Sequence, residues 1–206
     1  MQANYYLDIR ILESSDDGEL TLAHLRNQIY NIVHGVFRTM PEKFALALEL
    51  SPRQQRKMQA KALKYDHPIT PNYDVLRIFT SKKTDLDQLV ESIKGHWKIR
   101  DYAVLNHPAA VPTAKVTGWR SYFRFRLPTL KAERKLPNSS HQDTLYARRL
   151  KEAKQLPYFK VFSQSTGQGF TVTVKIEEVS EPVQGIPDGY GLARKSQPFS
   201  LPVFEV

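Results

Sequence analysis

The sequence predicts an α+β protein in two parts. The first hundred residues run in the order β-α-β-β-α-β, and a strand-rich, basic half follows. Three observations carry this. Apolar residues alternate with period two in YYLDIRIL and KFALALEL, and follow a 3–4 spacing from Thr21 to Thr39. The segment HPAAVP at 107–112 reads as a proline-rich linker. Charge is unevenly shared: residues 1–104 carry 15 basic and 13 acidic side chains, residues 105–206 carry 15 and 8. With 206 residues, 41% of them hydrophobic, the chain is long enough to build a real core. The expected units are 1–106 and 113–206.

Taken in order, residues 5–12 place Tyr5, Leu7, Ile9 and Ile11 on one strand face. The polar turn SSDDGE leads into a helix over about 21–39, with Leu22, Leu25, Ile29, Ile32, Val33 and Val36 as its apolar stripe and Thr21 as N-cap. KFALALEL is a second strand. Residues 51–72 form a basic, proline-flanked excursion, and VLRIFT at 75–80 is a β-branched strand. Thr84-x-x-Asp87 reads as a capping box before a helix bearing Leu86, Leu89, Val90 and Ile93. A strand over about 97–105 completes a ferredoxin-like unit. Beyond the linker, WRSYFRFRL (119–127) alternates, with Arg120, Tyr122, Arg124 and Arg126 on one face and Ser121, Phe123, Phe125 and Leu127 on the other. This reading packs the apolar face and presents three guanidinium groups together; like charges so placed repel unless an anion sits opposite. Residues 129–154 read as a basic helix broken near Pro137-Asn138, carrying Lys131, Arg134, Lys135, Arg148, Arg149, Lys151 and Lys154. Strands at 157–163, 169–178 and near FSLPVF close the chain.

The net charge is +9 and the pI about 9.6, with the excess in one half, as expected of a polyanion binder. A generic basic protein with solvated helix faces has the same composition. There is no cysteine, so disulfides and thiolate metal sites are excluded. The start MQANYYLDIR has no apolar core of a signal peptide, the longest apolar run is far short of a bilayer span, and no basic amphipathic helix carries bulky anchors. The expectation is a cytoplasmic protein without a membrane partner. The six histidines, at 24, 34, 67, 96, 107 and 141, form no HExxH pattern and no i, i+4 pair, so no metal site is expected. GxxxxGK[ST] and GxSxG are both absent. What remains is SQSTGQGF at 163–170, where hydroxyl and amide side chains flank Gly167. That cluster suits a phosphate or ribose, or simply a polar hairpin turn. Phe170 suits base stacking or the core. His34 neighbours Asn27, Tyr30 and Arg38 at the edge of the apolar stripe, which also fits an ordinary boundary histidine.

YYLDIRI, His34, FRFR at 123–126, LPYFKVFSQSTGQGF at 156–170 and GYGLARKS at 189–196 together resemble the type I-F (Csy) family of CRISPR-associated endoribonucleases. Members of that family cut the repeat hairpin of precursor CRISPR RNA. The SQSTGQ-x-F element with the later YGL is the specific part, and the pieces occur in both halves in the family's order. The resemblance implies His34 as catalytic histidine, Ser163 as the residue ordering the ribose 2′-hydroxyl, and Tyr190 as the active-site tyrosine. It implies RNA contacts from Gln164, Ser165, Thr166 and Gln168 in the loop, and stacking of Phe170 on the last base of the stem. Arg124 falls on the arginine that reads a purine near the hairpin base. Where the family's type example has glutamine, this sequence has Arg126, which removes an acceptor suited to adenine and favours guanine. Arg120, Arg148 and Arg149 are expected RNA contacts, although the basic helix departs from the family pattern, as does the 51–72 excursion.

The implied chemistry needs no metal or cofactor. His34, with a pKa expected near neutrality, would take the 2′-hydroxyl proton, giving 5′-hydroxyl and 2′,3′-cyclic phosphate ends. The protein would remain on the mature RNA beside other subunits of an interference complex. The alternatives are a non-catalytic hairpin-binding subunit of a ribonucleoprotein, against which His34, Ser163 and Tyr190 weigh together, and a general RNA chaperone without hairpin specificity.

Overall fold

The structure is a computed structural model that describes residues 1–13, 20–65, 69–127, 139–162 and 167–205, with residues 139–145 described for their backbone only. The first half contains β1 (Tyr5–Ile11), α1 (Leu22–Thr39), β2 (Ala45–Glu49), α2 (Pro52–Lys64), β3 (Val75–Thr80), α3 (Lys83–Ile93), α4 (Trp97–Tyr102) and β4 (Ala103–Leu105). Its antiparallel sheet has the order β2-β3-β1-β4, the ferredoxin-like arrangement expected from the sequence. Ala109–Ala110, in the segment read as a linker, forms a short β5 paired with β1.

Leu7, Ile9, Leu46, Leu48, Leu76 and Ile78 are buried, but so are Tyr6, Asp8, Arg77 and Phe79 on the opposite face. The chain's last residues cover that second face, which is why β3 is buried along its whole length rather than alternately. Phe204 meets Tyr6 edge-on at 4.9 Å and Phe79 at 6.2 Å. Arg77, opposite Asp8 in the ladder, donates to it through Nε (2.7 Å) and Nη2 (2.8 Å), and through Nη1 to the Phe204 carbonyl (3.0 Å). Its guanidinium lies 4.3 Å from the Phe204 ring centre. Arg77→Ala would leave Asp8 buried and unpaired. It should destabilise the fold by about 3–5 kcal/mol, read as a lower urea midpoint at unchanged slope.

Three local expectations are corrected. Residues 97–102 are helical, because the His96 ring nitrogen accepts from Lys98 N (3.1 Å) and caps a turn that alternation alone reads as strand. No side-chain cap starts α3; Asp87 instead accepts from Lys83 Nζ one turn away (2.9 Å). Within the 51–72 excursion lies α2, begun by Pro52 after Ser51, whose hydroxyl accepts from Gln54 N (3.4 Å) and donates to Asp74 (2.5 Å). The turn at 14–19, His67 and the Pro137-Asn138 break lie outside the described residues.

The second half forms an antiparallel sheet, β7-β8-β6-β9, from β6 (Gly118–Phe125), β7 (Tyr158–Phe162), β8 (Gly169–Val179) and β9 (Leu201–Val203). The helix α5 (Ser139–Gln155) joins β6 to β7, with Arg149 over the Phe125 ring at 5.3 Å and Glu152 paired to Lys175 at 3.0 Å. The face bearing Tyr122, Phe159, Val161, Val172 and Val174 turns inward, and buried residues of both sheets form one continuous cluster. The arginine face of β6 is thus the packed face, because Tyr122 belongs to it and is almost wholly buried.

Candidate active site and nucleic-acid interface

The two sheets meet along the flank of α1. Thr21 caps this helix by accepting from His24 N at 3.2 Å, and Leu25, Ile29, Val33 and Phe37 pack it into the core. One turn apart on the flank facing the second sheet stand Tyr30 and His34. The Tyr30 ring stacks on Phe159 of β7 with centroids 3.8 Å apart. Asn27 accepts from Lys160 N (3.2 Å) and Asn31 donates to Lys160 O (2.8 Å), so two asparagines at i, i+4 hold the outer strand to the helix. That strand ends at Phe162, immediately before Ser163.

A tight segment after Asp188 bridges the two sheets. Asp188 Oδ1 accepts from the backbone N–H of Tyr190 and of Leu192, each at 2.9 Å. The Gly191 carbonyl accepts from Leu46 N (2.8 Å) at the free edge of β2, and Ala193 N donates to Tyr122 O (2.8 Å) in β6. Gly191 has φ +77°, and a Cβ there would lie 2.9 Å from the Phe37 ring, so the position demands glycine. Tyr30 OH donates to the Tyr190 carbonyl at 3.1 Å.

These constraints place the Tyr190 ring parallel to the His34 imidazole, centroids 4.9 Å apart and 9° between planes. The Arg124 guanidinium lies 4.5 Å from the Tyr190 ring centre, and Phe170 meets the same ring edge-on at 6.1 Å. Residues from α1, β6, β8 and the 188–193 segment therefore converge where the two halves join. A family model described as CRISPR-associated protein (Cas_Csy4) matches residues 6–204 of the chain. The chain belongs to the Cas_Csy4 family.

This is a family of CRISPR endoribonucleases, which places the chain in CRISPR RNA binding and processing. Among solved structures, one described as "An RAMP protein binding different RNA substrates" is similar at 11% identity and a TM-score of 0.37, covering 96% of this chain and 99% of that one. No curated protein matches the sequence.

Of the residues singled out from this Cas_Csy4 sequence, His34, Tyr190, Arg124 and Phe170 come together. Arg120 does not join them. It sits toward the other end of β6, 3.9 Å from Glu49 and 3.4 Å from Glu178, with the buried Tyr122 between it and Arg124. The three guanidinium groups are thus not presented as one cluster: Arg120 has carboxylates, Arg124 has an aromatic ring, and Arg126 lies exposed beyond the strand end. Arg148 and Gln168 are exposed, and Arg149 lies on the outer face of the sheet. Ser163, Gln164, Ser165 and Thr166 lie outside the described residues. Sequence reasoning named Asn27 and Tyr30 only as neighbours of His34, and missed Asn31 and Asp188. The paired asparagines one turn apart and the turn-forming DGYG were the available signals.

His34 is 8% exposed and its pKa is pushed down to about 4, against the near-neutral value expected. Burial is the larger cause and the Arg38 charge the second, while a hydrogen bond to the Gly189 backbone works the other way. The imidazole is therefore neutral at pH 7. Because the unfolded chain takes up this proton first, the stability linked to His34 is complete above about pH 6.5. It is lost as pH falls toward 4.

A cavity of about 1070 Å³ lies elsewhere, on the sheet face covered by the C-terminal segment, and is lined by Asp8, Glu49, Arg77 and Arg120 among others. These four charges pair across it, with Asp8 on Arg77 and Glu49 between Arg120 and the Tyr122 hydroxyl. Among the described residues no group of three or more His, Cys, Asp or Glu side chains is placed to hold a metal ion, and no helix is long and apolar enough to cross a membrane.

Proposed function

We propose that the chain is a metal-independent endoribonuclease that binds the stem-loop of CRISPR repeat RNA and cuts at the 3′ base of the hairpin. It then stays on the mature RNA as a subunit of a type I-F interference complex in the prokaryotic cytoplasm. The observation that carries this reading is the neutral His34 imidazole held face to face with Tyr190.

In this reading residues 1–106 supply the base and residues 113–206 the hairpin-binding surface. The ribose 2′-hydroxyl oxygen attacks the adjacent phosphorus as His34 takes its proton. The bond to the 5′-oxygen breaks, and that oxygen takes a proton from water, giving a 5′-hydroxyl and a 2′,3′-cyclic phosphate, while the imidazolium returns its proton to solvent. Ser163, which follows the strand held against α1, has the role of fixing the hydroxyl in line. Tyr190 holds the imidazole plane. Phe170 is assigned to stacking beneath the stem, and Arg124 to a purine that draws it from the Tyr190 ring. Arg126, Gln164, Ser165, Thr166 and Gln168 are assigned contacts near the cut, Arg148 and Arg149 contacts to the stem phosphates, and Arg120 an RNA contact apart from both.

End-group analysis of the products tests the function: a 3′-hydroxyl with a 5′-phosphate would contradict it. The pH profile tests the base. Since kcat/KM reports the free protein, its acid limb should fall near pH 4 rather than near 6.5. The limb in kcat should lie higher, because bound phosphates favour the imidazolium. An acid limb in kcat/KM that stays unchanged in His34→Gln would remove His34 from that role.

A further inference from the structure

The helix α2 has the sequence PRQQRKMQAKALK, with five cations and no acid. Arg53, Lys57, Lys61 and Lys64, at i, i+4, i+8 and i+11, share one face, and Arg56 flanks them. The stripe runs about 16 Å, with a rise of about 6 Å between successive i, i+4 members. Like charges so spaced repel, and a helix polar on all sides usually relies on internal ion pairs that this one lacks. Its only buried residue is Gln54. The helix is nevertheless held rigidly at its first turns. Ser51 binds Asp74, and Glu13 accepts from Gln54 (3.3 Å), from Lys57 (2.5 Å) and lies 3.4 Å from Arg53. Gln59 through Lys64 are all exposed, Arg56 with them. Glu13 offsets Arg53 and Lys57 at the foot, and the exposed Arg56, Lys61 and Lys64, with no acid in the helix itself, form a firmly mounted surface suited to a polyanion.

Its position suggests which one. Next to Asp74, Tyr73 accepts from Arg26 Nη1 (3.0 Å) on the early turns of α1. Arg26 and His34 are about 12 Å apart along that helix. Arg26 thus ties the early turns of α1 to the Tyr73–Asp74 segment that holds the foot of α2.

We infer that α2 binds the phosphate backbone of the single-stranded RNA segment 5′ of the repeat hairpin, the flank that stays attached after the cut. This rests on the hairpin-processing reading above and extends it to a second RNA surface. The contact is to phosphates, so it is indifferent to the flank's sequence.

The test compares two RNAs, the repeat hairpin alone and the hairpin with a 5′ single-stranded flank, both ending at the 3′ base of the stem. Each is titrated across a salt series with the full chain and with the combined variant Arg56→Gln, Lys61→Gln, Lys64→Gln. Glutamine preserves helix propensity. For wild type the flank should steepen the salt dependence by about 2 in log–log slope, at roughly 0.7 per neutralised single-strand phosphate. The variant should lose that increment, binding the flanked RNA roughly 10- to 100-fold more weakly at 0.1 M salt while matching wild type on the hairpin. The charge-preserving pair Lys61→Arg, Lys64→Arg should retain the wild-type behaviour. Unchanged binding of the flanked RNA by the glutamine variant overturns the inference and leaves the stripe to another partner, such as an acidic protein surface. An equal loss on both RNAs also overturns it, by placing α2 in the hairpin site. Failure of wild type to bind the hairpin at all is a different result, which would overturn the hairpin-processing reading on which the inference rests.

Discussion

His34→Ala should slow single-turnover cleavage of repeat RNA by about 10²–10⁴-fold while leaving hairpin affinity nearly unchanged. The separation follows from the environment of the imidazole. It is 8% exposed and uncharged at neutral pH, so its removal takes away no cation that phosphates could have neutralised. What would be lost is the proposed base and one face of the stack against Tyr190. Tyr190 itself stays anchored, because Asp188 and Tyr30 bind its backbone and Gly191 keeps its turn. His34→Gln is the matched control, with a polar side chain of similar reach but no proton affinity in range, and it should be as slow as alanine. Loss of binding in proportion to rate would mean that His34 shapes the RNA surface and does not take the proton.

A single 2′-deoxy substitution at the nucleotide before the scissile phosphate should abolish cutting altogether, with binding unaltered. The effect should be larger than that of any side-chain change, because the substitution would remove the proposed nucleophile and not a group that assists it. Water could replace the hydroxyl only with a separate means of positioning and activation. Cleavage of the deoxy RNA at a comparable rate would require an external nucleophile and would overturn the mechanism, whatever the effect of His34→Ala.

Where periodicity had one cause, the sequence was legible. Thr21 and the 3–4 stripe placed α1 within a residue of its start, and β-branching placed β3. Alternation failed where a second layer or a local cap intervened. The C-terminal segment buries the far face of the first sheet, so Arg77 and Asp8 are core residues despite their charge. The His96 ring begins a helix over 97–102 that no periodicity announces. In FRFR the alternation was right and the choice of inward face wrong, because one buried tyrosine, Tyr122, outweighs two phenylalanines left half-exposed. His34 and Tyr190 were reachable through the family's motifs. The near-neutral pKa expected for His34 left out its burial, which comes from tertiary packing, although Arg38, one turn on along the same helix, was visible in the spacing. The supports of Tyr190, from Tyr30 at a separation of 160 residues and from Leu46 through Gly191, are long-range contacts of the same kind.

The most direct test of the central claim is incubation of the protein with end-labelled repeat RNA in excess EDTA, beside His34→Ala, with binding and cutting read from the same samples. The account predicts tight binding by both proteins and a cut at the 3′ base of the hairpin by wild type alone. Tight binding by both with no cut by either would contradict it and identify the chain as a hairpin-binding subunit without catalysis.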